Sequence, residues 1–185
     1  RAADSHKGDF GRLTIVAGSI GKTGAAYLAA MGALRSGAGL VTVATPRCCL
    51  PIVAATSPVF MTIDLPDDAG TVDASGVEKL LEQAHDVVAC GPGLGRSPQV
   101  AQFVRALLDR ATVPLVLDAD ALTVLADDPG RLSGREERDL IITPHPGEMA
   151  RLIGASIADV QANRIQVASD FAATHRIYVV LKGHR

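Results

Sequence analysis

The 185-residue chain has no tryptophan, only 3% aromatic residues and three cysteines. So few rings leave Ala, Val, Leu, Ile and Gly to build the core, a mix that suits a parallel sheet between helices. Cys48, Cys49 and Cys90 have neither the even count of a disulfide framework nor the C-x-x-C spacing of a metal site. Reduced, buried thiols are expected, and Cys90, closing the apolar run "DVVAC", reads as a small strand residue. No apolar stretch approaches the roughly 18 residues of a membrane span, and no signal-peptide pattern opens the chain. A basic block is missing too. The 18 basic and 20 acidic side chains give a net charge of -2, which argues against nucleic-acid and membrane-surface partners. A cytoplasmic protein with a small-molecule partner is the expectation that these absences leave.

What is present is alternation. Apolar runs bounded by Gly, Pro or Asp alternate with segments of helical period over a length that suits one domain, 1–185. "RLTIVAGS" predicts a strand near 12–17, and "TGAAYLAAMGALRSGAG" a helix stopped by Gly37 to Gly39. "LVTVAT" is the next strand, "RCCLPIVAA" a weak helix interrupted by Pro51, and "VFMTIDL" a short strand suited to a sheet edge. A polar loop, "DLPDDAGTVDASG", precedes the helix "VEKLLEQA", with Ser75 and Glu78 spaced as a capping box. "DVVACGPGLG" runs from strand into glycine loop, and Ser97 with Pro98 fits the start of the helix "QVAQFVRALLDR". "VPLVLDADAL" follows as a strand, then a short helix over "ALTVLA" and a polar loop through "DDPGRLSGREERD". After the strand-to-loop junction "LIITPHPGE", the segment "IADVQANRIQVASDFAATH" reads as one helix capped by Ser156 and Asp159. "IYVVLKGHR" is the last strand. The pattern predicts a single open α/β sheet with right-handed crossovers.

In such sheets ligands bind beyond the carboxyl ends of the strands, and five conspicuous loops fall there. They are "GSIGKTG", "GPGLG" from Gly91, "DAD" from Asp118, "TPHPGE" from Thr143 and "KGHR" from Lys182. The first imitates a Walker phosphate loop, but that form needs a glycine five residues before Gly21, where this chain has Val16. Lys22 therefore reads as a solvated loop residue, and Gly24 and Ala25 as a close backbone approach to a ligand. Gly91, Gly93 and Gly95 would leave backbone N–H groups bare at a helix entrance, a setting for phosphate or pyrophosphate. Arg96 at the sixth position breaks the G-x-G-x-x-G spacing of a dinucleotide fold. His145 and Glu148 are spaced to face a ligand together, His as a donor and Glu through a metal or water. Asp118 and Asp120 could hold Mg2+ or orient polar groups, with a helix cap as the other reading of Asp120.

In this order, "HKGDFGRLTIVAGS", "TGAAYLAAMGALRSGAGLVTVATP", "GPGLG", "LDADAL", "ITPHPGEMARL" and "VVLKGHR" resemble the motifs of the ADP/ATP-dependent NAD(P)H-hydrate dehydratases. The resemblance covers nearly the whole chain. It implies a ribokinase-like three-layer αβα sandwich with a mostly parallel central sheet, incomplete at the C-terminus. It also implies a repair reaction in which the S-form of hydrated NADH or NADPH returns to the reduced dinucleotide at the expense of ADP or ATP, with Mg2+. By that resemblance Ala25, Gly95 and His145, with Gly24 and Gly93 beside them, contact the hydrated dinucleotide. Lys182, Gly183, His184 and Arg185 begin the adenine-nucleotide segment, and Glu148 is the candidate metal ligand. The family's glycine-rich G-T-G-D loop, whose Asp is the expected base, occurs nowhere in the sequence. The catalytic residue is thus unassigned, and a truncated, inactive dehydratase domain is expected. "RAADSHKGDFG" resembles the junction after an epimerase domain in bifunctional members, and family habit implies a homo-oligomer. A hydroxyethylthiazole kinase of the same fold class and a non-catalytic binding fragment are the alternatives.

Overall fold

The structure is a computed structural model that describes residues 4–183, so His184 and Arg185 of the expected nucleotide segment lie outside the described residues. The strands are β1 (Arg12–Val16), β2 (Leu40–Pro46), β3 (Met61–Leu65), β4 (Asp67–Asp68), β5 (Thr71–Val72), β6 (Val87–Cys90), β7 (Leu115–Leu117), β8 (Leu140–Ile142) and β9 (Tyr178–Val179). The α-helices are α1 (Thr23–Ser36), α2 (Leu50–Ala54), α3 (Gly76–Leu81), α4 (Pro98–Arg110), α5 (Asp120–Leu125), α6 (Pro146–Ile153), α7 (Ile157–Ala162) and α8 (Arg164–His175). Seven strands form one sheet in the order β3-β2-β1-β6-β7-β8-β9, and every pairing within it is parallel. The chain moves outward to one side from β1 and to the other side from β6. The order therefore reverses between β1 and β6, and a crevice must open beyond their carboxyl ends.

Strand alternation makes three layers. In β1, Val16 faces one core while Ile15 faces the other, and Leu115 and Leu117 of β7 share the face of Val16. The larger core holds α4, whose Val100, Phe103, Val104, Leu107 and Leu108 recur at helical spacing and are all buried. Each contributes about 2 kcal/mol by leaving water. Ser97 accepts from the Val100 N–H and Pro98 occupies the first turn, as the sequence predicts. Ala26 and Ala30 of α1 line the smaller core, where short side chains let the helix approach β1 and β2 closely. On that face, beyond β6, Val116 and Ile141 are only partly buried, while Tyr178 and Val180 are exposed. Burial pushes the Cys90 thiol up to about 12, as an inert packing residue requires.

Three local expectations need correction. Ser75 does not cap α3: its backbone is already helical and its side chain makes no cap bond. Asp73 instead accepts from the Ser75 N–H at 2.8 Å, an Asx turn that starts the helix two residues earlier. The segment read as one helix from Ile157 to His175 is two, because Asn163 leaves helical geometry at φ -129, ψ 37. Its amide donates to the Asp159 carbonyl, the competition with main-chain bonding that makes Asn a helix breaker. The polar loop after β3 contains the hairpin β4–β5, which arches over the rim. There Ile20 donates its N–H to the Gly70 carbonyl, and Thr71 and Ser97 join hydroxyls at 3.1 Å.

Between Asp118 and Asp120 the chain makes a strained turn, with Ala119 at φ 50, ψ -119. That conformation costs a non-glycine residue about 1 kcal/mol or more and is free for glycine. Ala119→Gly is expected to raise Tm by about 2–4 °C in thermal unfolding, the shift that about 1 kcal/mol gives in a domain of this size; an unchanged or lower Tm would show that the turn is not strained.

Candidate functional site

The crevice between β1 and β6 is walled by two glycine loops that pack on each other. Gly18 donates to the Pro92 carbonyl at 2.9 Å, and the Ser19 hydroxyl donates to the Gly93 carbonyl at 2.8 Å. Gly93, at φ +67, lies so close to the start of α1 that an added Cβ would stand 2.8 Å from the Ala25 Cβ and 3.0 Å from the Lys22 carbonyl. Glycine is required there for both conformation and room. A Cβ on Gly91, at φ +138, would collide with the Asp118 carbonyl. Expected site residues Gly24, Ala25, Gly93 and Gly95 are thereby brought to one place.

The expectation that the three glycine N–H groups stand bare needs correction. Gly91 donates to the Val16 carbonyl, and Gly95 donates to the Asp120 carboxylate at 2.9 Å. Among the described residues only the Gly93 N–H of the three has no partner. Asp120 is not a cap either: Ala119 holds that position, and the Asp120 side chain reaches across the rim. It also accepts from Arg96 Nε at 3.0 Å and from Lys22 Nζ at 3.3 Å. Lys22 is therefore no free solvated loop residue, though its side chain is 49% exposed. Burial works to raise the Asp120 pKa, but the Gly95 N–H, Arg96 and Lys22 together outweigh it and hold the carboxyl below its ordinary 3.8.

Asp118 turns the other way and pairs with Lys182. This bridge ties the end of β7 to the chain after β9, where the Lys182 N–H also donates to the Pro144 carbonyl at 2.8 Å. Arg164 of α8 donates to the Leu181 and Lys182 carbonyls and fixes the same segment up to Gly183.

His145 and Glu148 form a reciprocal cap of α6. His145 Nδ1 accepts from the Gly147 and Glu148 N–H groups at 3.0 and 3.3 Å, while Glu148 accepts from the His145 N–H at 2.8 Å. The imidazole proton is thus left on Nε2, 3.2 Å from the other Glu148 oxygen, and the His145 side chain is 50% exposed. Glu148 is buried and engaged in this cap. Among the described residues no three His, Cys, Asp or Glu side chains gather to hold a metal. His6 and Asp9 repeat the device at the amino-terminal edge, where Gly39 packs against the Lys7 backbone. "KGDFG" and "RSGAG" meet there, far from the crevice. A hollow of about 330 Å³ lined by Ala111, Thr112 and residues 135–138 opens at the same edge, away from the glycine loops.

The architecture and the loop set can be compared with known proteins. The family described as NAD(P)H-hydrate dehydratase matches residues 13–185. The chain belongs to that family. It is 46% identical over 188 residues to the bifunctional NAD(P)H-hydrate repair enzyme of Moorella thermoacetica, covering 100% of this chain and 35% of that protein. It is 39% identical over 186 residues to the ADP-dependent (S)-NAD(P)H-hydrate dehydratase of Neisseria meningitidis, covering 100% of this chain and 60% of that one. The crystal structure of the ADP/ATP-dependent NAD(P)H-hydrate dehydratase from Bacillus subtilis, co-crystallized with ATP/Mg2+, superposes with a TM-score of 0.81 at 34% identity. It covers 99% of this chain and 61% of that one, so the chain spans between about a third and three fifths of these relatives. The sandwich is ribokinase-like, as the motifs imply.

Asp120 dominates the electrostatics of this family member's crevice, so its titration should show in stability. Its native pKa is depressed, so the unfolded state binds more protons between the native value and about 3.8. The stability it contributes is complete above that window and is lost as pH falls through it. Asp120→Asn should lower Tm at neutral pH and flatten the acid limb of a Tm-versus-pH curve; an acid limb identical to that of the unaltered chain would remove Asp120 from this role.

Proposed function

We propose that this chain is the substrate-binding part of a nicotinamide-nucleotide repair enzyme, an ADP- or ATP-dependent dehydratase acting on the S-form of hydrated NADH and NADPH. The observation that carries the reading is the match of the dehydratase family over residues 13–185, in a fold whose glycine loops meet at the switch point. The names of the relatives supply the substrate and the nucleotide. In this reading the nucleotide phosphorylates the hydroxyl of the hydrate. Breaking that C–O bond then expels phosphate, releases a ring proton and restores the double bond of the dihydronicotinamide.

The chain's own residues would bind and orient. Gly24, Ala25 and Gly93 offer a backbone surface without side chains in the way. His145 would turn its half-exposed Nε2–H from the Glu148 oxygen at 3.2 Å to the ligand, and Lys182 with Gly183 would begin the nucleotide segment. Glycine 95 acts through its bond to Asp120 rather than as a bare donor. Mg2+ would arrive on the nucleotide phosphates, its usual mode of binding, since the described residues form no metal centre and Glu148 is engaged with His145. No rim carboxylate is offered as the base, because Asp118 is paired with Lys182 and Asp120 holds three donors. A cytoplasmic setting agrees with the three free cysteines, and among the described residues no helix is long and apolar enough to cross a membrane. An upstream epimerase domain and assembly into homo-oligomers complete the proposal for the intact protein.

Given ADP or ATP, Mg2+ and the S-form of hydrated NADH, the intact protein should restore the absorbance of the reduced ring, while the 185-residue chain binds the hydrate without turnover. Phosphorylation of a thiazole alcohol with no action on the hydrate would replace this reading. His145 needs a paired test because it also caps α6: His145→Asn keeps a capping side chain, whereas His145→Ala loses about 1 kcal/mol of stability as well. Both variants should weaken hydrate binding by roughly tenfold, the loss of one ligand hydrogen bond; binding that survives in the Asn variant would confine His145 to the cap.

A further inference from the structure

The "GKTG" stretch imitates a Walker loop without its fold, yet its lysine stands beside the crevice. Lys22 and Arg96 approach from the loops after β1 and β6, and one carboxylate, Asp120, accepts from both. The cluster carries two positive charges against one negative. Neither cation is used up by its partner. The Arg96 side chain is 61% exposed and bonds Asp120 through Nε alone, so among the described residues its two terminal amino groups have no acceptor. Lys22 donates one of three ammonium protons. Among the described residues the Gly93 N–H, in the loop that packs against Lys22 and Ala25, has no partner, and no side chain caps the first turn of α1. Above Gly21 and Gly24 there is open space, since a Cβ on either would meet nothing within 4 Å. Spare donors and net positive charge thus stand together at the rim, and the one carboxylate among them, Asp120, is already engaged with three donors.

We infer that Lys22 and Arg96, held in place by Asp120, form a phosphate subsite that takes the pyrophosphate bridge of the dinucleotide substrate. For its ligand the assignment rests on the dehydratase reading. A phosphate group suits it chemically: the Arg96 fork can meet two oxygens at once, Lys22 supplies a mobile charge, and the Gly93 N–H and the start of α1 supply fixed dipoles. Asp120 acts as a positioning residue, because it holds both cations at the rim without neutralising them. The subsite also gives a reason for Lys22, which the partial Walker match left without a role.

The test uses Lys22→Met and Arg96→Gln in the intact protein, with Lys22→Arg as the conservative control. Binding of hydrated NADH, hydrated NADPH, ADP and inorganic pyrophosphate is measured by calorimetry at low and high salt. Each charge-removing variant should weaken both hydrates by roughly tenfold, as loss of a charged hydrogen bond does, and should reduce the salt dependence of binding. Affinity for ADP should not change, and Lys22→Arg should bind as the unaltered protein does. A loss confined to hydrated NADPH would place its extra phosphate there and overturn the pyrophosphate assignment, as would a loss confined to ADP. Unchanged affinities with a lowered Tm would reduce Lys22 and Arg96 to struts for Asp120. If the unaltered protein does not bind the hydrates, the dehydratase reading fails separately. Pyrophosphate then decides for the subsite: binding lost in both variants keeps it, and no binding by the unaltered protein ends it.

Discussion

One buried carboxylate holds the loops at the carboxyl rim together. Asp120 sits at the first turn of α5, yet its oxygens reach the Gly95 N–H, Arg96 and Lys22, so the loops after β1, β6 and β7 share a single acceptor. Glycine loops are otherwise loose, because their residues lose more backbone entropy on ordering than any others. A carboxylate that is 10% exposed and holds three donors opposes that loss where it is largest. The depressed pKa of Asp120 is the electrostatic sign of the same arrangement: despite burial, the charged form is the one that the site stabilises.

The strain at Ala119 follows from that demand. Asp118 and Asp120 leave the end of one short strand in different directions, the first to Lys182 and the second to Gly95. An extended backbone would put residues two apart on the same face. The turn at φ 50 breaks that symmetry and lets one strand end serve two neighbours. Asp118 then fastens the segment after β9 to the centre of the sheet, while Asp120 fastens the crevice. Two carboxylates that look alike in "DAD" therefore do separate work, and neither is left free for proton transfer.

The sequence made the sheet legible because its signals are local. Apolar runs bounded by Gly, Pro or Asp named β1, β2, β6, β7 and β8, and the Ser97-Pro98 pair placed the start of α4. The rim loops were legible as a set, and the ordered motifs identified the family that residues 13–185 match. The partners of the rim side chains were not legible. Lys22 and Asp120 lie 98 residues apart, and no spacing rule links them. Only the fold sets them side by side. Asn163 and Asp73 were missed for the opposite reason, since each acts through a short side-chain bond to nearby backbone that helical periodicity does not register. The β4–β5 hairpin was hidden by its brevity: two residues on each side carry too little pattern to read as strands.

The two edges of the sheet explain why some motifs identify the family without touching the crevice. At the amino-terminal edge "KGDFG" and "RSGAG" interlock, Gly39 against the Lys7 backbone, so their glycines are fixed by packing. At the carboxyl edge the glycines of "GPGLG" are fixed by contact with α1 and by Asp120. His-x-Gly-acid caps occur at both edges, at His6–Asp9 and at His145–Glu148. The shared geometry shows that the cap is a way to start a helical turn, and that its position on the rim, not the motif, is what can give His145 a ligand. Position likewise separates Lys22 from the Walker loop it imitates. The lysine matters because the reversal of strand order brings its loop against Gly93 and Asp120, a placement that a Gly-Lys-Thr elsewhere in the chain would lack.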